Sequence, residues 1–172
     1  YALARLEVPA NTTTIQQSMI TDLRALGSPR ESSRMFIANP YPSGSDSGTL
    51  FSSADFVSSP FQPTVNIPRW ATYAEVVLTI AGISHFDPLV IGETRIVLAG
   101  TPGASIPHEL QDTSGAGEHI NLTATWAGDV SGLAGTAATL VHQNRLLAGT
   151  GRLVMYAHTT VLFDVRFSER AL

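Results

Sequence analysis

The stretch Glu118-His119-Ile120-Asn121-Leu122-Thr123-Ala124-Thr125-Trp126 alternates without a break. Ile120, Leu122, Ala124 and Trp126 fall on one side of an extended chain, and His119, Asn121, Thr123 and Thr125 fall on the other. Side chains of a strand point to opposite faces in turn, so the stretch reads as a half-buried antiparallel strand with one wet face.

The same signal recurs on either side of it. In Tyr73–Ile83, Ala74, Val76, Leu78 and Ile80 share one face, and Tyr73, Glu75, Val77 and Thr79 share the other. In Thr159–Ser168, Val161, Phe163, Val165 and Phe167 face inward against Thr160, Leu162, Asp164 and Arg166. Thr64–Ile67, Glu93–Ala99, Ala137–Leu146 and Arg152–His158 complete about seven strands, spaced as in an all-β sandwich. The intervening loops, Gly100–Gly117 and Ala127–Thr136, are rich in Gly, Ser and small residues, and loops of this kind gather at the ends of a sandwich. The expected architecture of 64–172 is a jelly-roll-like antiparallel β-sandwich.

The N-terminal part reads differently. Ala4–Val8 alternates as a short strand closed by Pro9. Thr13 or Thr14 can cap a helix in which Ile15, Met19, Ile20, Leu23 and Leu26 recur at steps of three and four, with Gly27 as a stop and Pro29 beyond. Arg34–Ala38 is a further short strand, so 1–38 forms a strand–helix segment with an apolar stripe that needs a partner. Residues 39–63 are dominated by Pro, Ser and Gly and read as an extended connector. Its Phe51, Phe56 and Phe61 need something to pack on, so it is expected to cross the surface of its own domain or of a neighbouring subunit. Tyr1 stands in a strand-like context without an initiating Met, which implies that the chain begins inside a longer polypeptide.

Composition removes several function classes. Among 172 residues there is no Cys, which excludes disulfides, thiolate metal sites and cysteine nucleophiles. All ten basic residues are Arg, which excludes a phosphate-loop lysine and a Schiff-base lysine. A net charge of −4 with dispersed Arg offers no basic stripe for nucleic acid. The longest apolar stretch, Val76–Ile83, is interrupted by Thr79 and Gly82 and is far shorter than the roughly 20 residues of a membrane-spanning helix.

The short motifs that mimic catalytic sites fail on context. His108-Glu109-Leu110-Gln111-Asp112 resembles a zinc-peptidase motif with Asp in place of the second His, but Pro107 and the following Gly/Ser run predict a loop where that chemistry needs a helix. Gly44 to Gly48 has the outline of a nucleophile elbow, yet its central residue is Asp46 and both flanks are connector. Glu109, Asp112 and Glu118 could line a calcium loop, though they lack the alternating pattern of an EF-hand. The five His, at 85, 108, 119, 142 and 158, show no helical pairing, and His119 reads as a surface residue that only a metal at a symmetry axis would recruit. No cofactor is implied. For carbohydrate contact the candidates are Tyr73 and Tyr156, because Trp126 and Trp70 share parity with apolar faces; an aromatic on the second face of a sheet more often marks packing or an interface.

Leu3-Ala4-Arg5-Leu6-Glu7-Val8-Pro9-Ala10, Thr12-Thr13-Thr14-Ile15 and Ile20-Thr21-Asp22-Leu23-Arg24 together resemble a segment of minor tail proteins of phages that infect actinobacteria. The resemblance covers about the first 30 residues. It implies a virion component of the tail tip, outside the host cell, often trimeric, with the C-terminal sandwich near the host surface and other tail proteins as partners. Ile15, Met19, Leu23 and Leu26 could then close a homotrimer interface around a three-fold axis, the trimer serving multivalent attachment to cell-wall glycan. The alternatives are an architectural virion subunit that touches no receptor and an envelope-degrading glycosidase, for which no persuasive carboxylate pair is present. No catalytic residue is carried over by the resemblance, and the chain is expected not to be an enzyme.

Overall fold

The computed structural model describes residues 4–6, 20–22, 30–42, 47–86, 89–110, 118–150 and 152–169. Two compact units divide at Arg30. In the first, β1 (Ala4–Leu6) pairs antiparallel with β2 (Ile20–Asp22), placing Leu6 opposite Ile20 and Ala4 opposite Asp22. The strand at β2 corrects the continuous helix expected through this segment. Ile20 and Thr21 are β-branched, and a short apolar window spaced three and four apart cannot by itself separate a helix from a strand that finds a partner. Ile15, Met19, Leu23 and Leu26, and with them the expected trimer interface, lie outside the described residues.

The second unit is a sandwich of two antiparallel sheets. The first sheet contains β3 (Glu31–Ala38), β14 (Thr160–Ser168), β7 (Tyr73–Phe86) and β11 (Glu118–Asp129) in that spatial order. At the far end of β7, β13 (Arg152–Met155) takes over from β14 and carries β4 (Gly48–Leu50) on its outer side. The second sheet runs β10 (Ile106–Leu110), β8 (Val90–Leu98), β12 (Ala137–Gly149), then β5 (Val57–Ser58) and β6 (Thr64–Asn66) along the far edge of β12. A two-residue strand β9 (Thr101–Pro102) turns back onto β8.

With β5 and β6 counted as one interrupted position and the short β4, β9 and β13 set aside, eight principal strands remain. The first sheet takes the first, eighth, third and sixth of these, and the second takes the second, seventh, fourth and fifth. That interleaving of two Greek keys is the jelly roll. The expected fold class of a jelly-roll-like β-sandwich therefore holds.

The core lies between the sheets and is made by the alternations read above. Ala74, Val76, Leu78 and Ile80 from β7 and Val161, Phe163, Val165 and Phe167 from β14 meet Ile96 and Leu98 from β8 and Leu140 from β12, all essentially sealed from solvent. Burying a side chain of this size contributes about 1.5–3 kcal/mol, which is why parity along each strand decides the sheet's orientation. Trp126 is buried as expected, with its indole N–H donated to the Thr101 carbonyl at 3.2 Å, and Trp70 is half-buried against the core.

Two expected boundaries are corrected. Glu31–Ala38 does not belong with the N-terminal segment, because all eight of its residues pair with β14. The connector, expected as an extended surface run, supplies β4 and β5 and wraps the edge of the second sheet. Phe51 is sealed inside, where the missing Cβ of Gly92 makes room for it; a Cβ there would stand 2.5 Å from its ring. Its φ of 54° is unusual for a bulky residue and is sustained by that burial. Phe61 is half-buried and packs on Phe163 with 6.0 Å between ring centres. Phe56 turns outward and lies on the guanidinium groups of Arg95 and Arg145, at 3.7 Å and 4.6 Å from the ring centre. The phenylalanines are thus packed within their own chain, the first of the two expected alternatives. The loop expected over Gly100–Gly117 is corrected as well, since β10 adds Ile106–Leu110 to the second sheet.

Candidate functional site

The two candidate tyrosines do not come together. Tyr73 opens β7, half-buried, in register with Asp129 and Ser168. Ser84, near the other end of the same strand, is eleven residues away, a span of about 35 Å. Tyr156 belongs to that far end, where the structure gathers several functional groups.

The gathering starts from one extra residue. Leu122 pairs with Ile80 and Ile120 with Ile83, so Ala81 and Gly82 together oppose the single Asn121. This β-bulge reverses the parity of β7. Before it the even-numbered residues face the core; after it Ile83 and His85 do, and Ser84, on the opposite side, is buried beneath His119 and His158. The bulge is held from both sides, for the Gly82 N–H is donated to Asn121 Oδ1 at 3.1 Å and the Gly82 carbonyl accepts from Thr159 Oγ1 at 2.9 Å. Gly82 has φ +73°, the left-handed region that favours glycine, and a Cβ on it would stand 3.1 Å from the His158 carbonyl oxygen.

Thr159 also closes the turn that carries the aromatic groups. Its N–H is donated to the Tyr156 carbonyl at 2.9 Å, and its hydroxyl accepts from the Tyr156 N–H at 3.0 Å. The Asn39 side chain donates to the Ala157 carbonyl in the same turn. Tyr156 and His158 then lie ring over ring, 5.9 Å apart and 27° from parallel. His158 meets His119 edge to face at 4.8 Å and 80°. Ser84 Oγ lies 3.4 Å from His119 Nδ1 and 3.4 Å from His158 Nε2, between the two imidazoles. His119 and His158 are exposed, whereas Tyr156 is half-buried. The result is a group of two exposed imidazoles, a half-buried phenol and a buried hydroxyl on a pinned backbone.

No family model matches the chain, and no curated protein matches it. Among solved structures, the infectious bursal disease virus particle contains a chain that is similar over 95% of this one, at 11% identity and a TM-score of 0.42. This chain spans 40% of that viral chain. The sugar-binding EclA C-terminal domain is similar over 78% of both chains, at 13% identity and a TM-score of 0.36. Latent PorU of Porphyromonas gingivalis is similar over 81% of this chain and 13% of its own, at 11% identity and a TM-score of 0.44. Likenesses of this degree carry no functional argument, and the site's own residues must supply it.

The remaining histidines are interior or half-buried. His142 is sealed in the core, where desolvation lowers its pKa to about 4 against the opposing effect of its hydrogen bond to Asn144. The Asn144 side-chain amide lies 2.6 Å from His142 Nε2, and its oxygen accepts from Thr94 Oγ1 at 2.9 Å. Nδ1 of the same ring is buried without a hydrogen-bond partner among the described residues. His85 is buried, and its Nε2 has no hydrogen-bond partner among the described residues. His108 stacks on Phe51 at 6.1 Å, and desolvation lowers its pKa.

The peptidase-like segment is therefore corrected from loop to strand, since His108–Leu110 closes β10, and it still lacks the helical spacing the metal chemistry requires. Asp112 and Asp46 lie outside the described residues, as does the side chain of Glu118. Among the described residues no group of three or more His, Asp or Glu is gathered. Sequence reasoning missed the pairing of His119 with His158, which are far apart in the chain. The one available signal was Gly82 inside an otherwise regular alternation, a usual mark of a bulge.

Proposed function

We propose that the chain is a non-catalytic structural component of a virion, at a phage tail tip, and that its jelly roll attaches to host-envelope glycan as a homotrimer. The single observation that carries the reading is the Tyr156–His158–His119 group beside Asn121, with both imidazoles exposed, pinned at the bulged end of the first sheet. Stacked rings flanked by amide and hydroxyl groups are what sugar recognition uses, one apolar face and a few placed polar atoms. The jelly roll itself serves capsid and lectin domains alike, so it supports the reading without choosing between attachment and architecture. The resemblance of the first 30 residues to tail proteins supports the location.

Weak contacts at each copy add through avidity. Mass in solution by light scattering, run with binding of the fluorescent protein to candidate host cells, tests this. A trimer that labels cells, and labels them less as Tyr156→Ala, supports attachment through this group. A stable monomer removes the avidity mechanism, and undiminished labelling by Tyr156→Ala moves the contact elsewhere.

A second reading, an architectural subunit without receptor contact, is favoured by a different observation. Met35 and Ile37 on the edge strand β3 are 61% and 60% exposed, and across the outer face their rows continue into Asp164 and Val77 and into Leu162 and Thr79. An apolar edge of this kind invites cover by another subunit. It predicts a trimer, or a larger assembly, that labels no cells.

A further inference from the structure

We propose that His119 and His158, with the Ser84 hydroxyl, form a binding site for a divalent transition metal ion of the zinc class. Both ring nitrogens aim at one point: His119 Nδ1 and His158 Nε2 each stand 3.4 Å from Ser84 Oγ, at the long end of hydrogen-bonding distance. Neutral imidazole nitrogen is the donor that borderline divalent ions prefer, and zinc binds it at about 2.0–2.1 Å. An ion seated between the rings replaces two long contacts by two coordinate bonds, with the serine oxygen as a third donor. Because both imidazoles are exposed, the fourth position of a tetrahedral ion faces solvent.

The donors are held before any ion arrives. His119 and Ser84 are direct cross-strand partners on β11 and β7. The bulge at Gly82 is what turns Ser84 to meet the ring, and the turn holding His158 is tied to that bulge by Thr159. Tyr156 stacks on the His158 ring. Support of this kind reduces the reorganisation that binding demands and raises affinity. The site needs no carboxylate, which distinguishes it from sites for calcium or magnesium. It stands independently of whether the same face meets a glycan.

The test uses the full chain without a histidine tag. Zn2+ alone is titrated by calorimetry, and the histidine ring resonances are followed in parallel. The expected result is one equivalent of Zn2+, with shifts confined to two imidazoles and no competition by excess Mg2+ or Ca2+. His119→Ala and His158→Ala should each weaken binding at least about tenfold, while circular dichroism and the melting curve confirm that the variants remain folded. Ser84→Ala should weaken it less than either. Absence of binding to the unmodified chain at millimolar Zn2+ overturns the proposal. So does binding that survives both His substitutions, or ring shifts at His85, His108 or His142 instead.

Discussion

The two sheets turn very different outer faces to their surroundings. The second is furnished by the chain itself: Phe56 lies on Arg95 and Arg145, Arg145 makes an ion pair with Glu93 at 2.7 Å, and Arg95 donates to Gln143 at 2.9 Å. Exposed apolar side chains occur on both, Val57 and Leu147 on the second and Met35, Ile37 and Val77 on the first, but the first alone carries, among the described residues, the Tyr156–His158–His119 group at one end. In a sandwich both inner faces must be apolar, so function is free to differ only on the outside. The difference teaches that part of the connector covers the outer face of the second sheet, while the first keeps the face to which recognition is proposed to belong.

The largest effect that could break this comparison lies where the connector enters the core. Phe51→Ala removes a sealed ring above Gly92 and should destabilise the domain by about 3–5 kcal/mol, measured by urea unfolding. A loss below about 1 kcal/mol would mean that the connector merely lies on the second sheet and does not complete it.

The next effect tests the polar network behind the same sheet. In the unfolded chain His142 has an ordinary pKa of 6.5, and in the folded chain about 4. As pH falls below 6.5 the unfolded chain takes up a proton that the folded chain refuses, so stability is full above 6.5 and is lost progressively down to about pH 4. The loss should reach about 3 kcal/mol in all. His108 is shifted in the same direction and steepens the slope. Unfolding curves at pH 7, 5.5 and 4.5 for the unmodified chain and for His142→Gln check this, the variant being expected to show the flatter dependence.

A smaller effect sharpens the account of the first sheet. Gly82→Ala places a Cβ in the left-handed region, 3.1 Å from the His158 carbonyl oxygen, and should cost about 1–2 kcal/mol. It should also disturb the ring resonances of His119 and His158, whereas a substitution that merely weakens the core would leave their mutual position intact. The smallest effect concerns the outer face of the first sheet. Met35→Ser and Ile37→Ser together should change stability by no more than about 0.5 kcal/mol each, while reducing any self-association seen by sedimentation. Strong destabilisation would show that these side chains are already covered within one chain.

Much of the sandwich was legible from local pattern. The alternations in Tyr73–Ile83, Glu118–Trp126 and Thr159–Ser168 named the inward residues correctly, because a strand's two-residue period is set by backbone geometry and a wrong parity would bury threonines and charges. Composition likewise excluded thiol and lysine chemistry without reference to any contact. The N-terminal segment was misread at Ile20–Asp22, where pairing with Ala4–Leu6 overrode a helical spacing. The connector was misread because Phe51 depends on a glycine 41 positions later that has no side chain to announce its purpose.

By itself the sequence determined which residues face inward, that the second unit is mainly β, and which chemistries are excluded, since these follow from residue type and period. Only the tertiary structure decided which strands are neighbours, and therefore that His119 stands beside His158 and that Ser84 lies between them. The bulge at Gly82 shows why. A single added residue in one strand reverses the side on which every later side chain emerges, and its position is set by pairing with a distant strand.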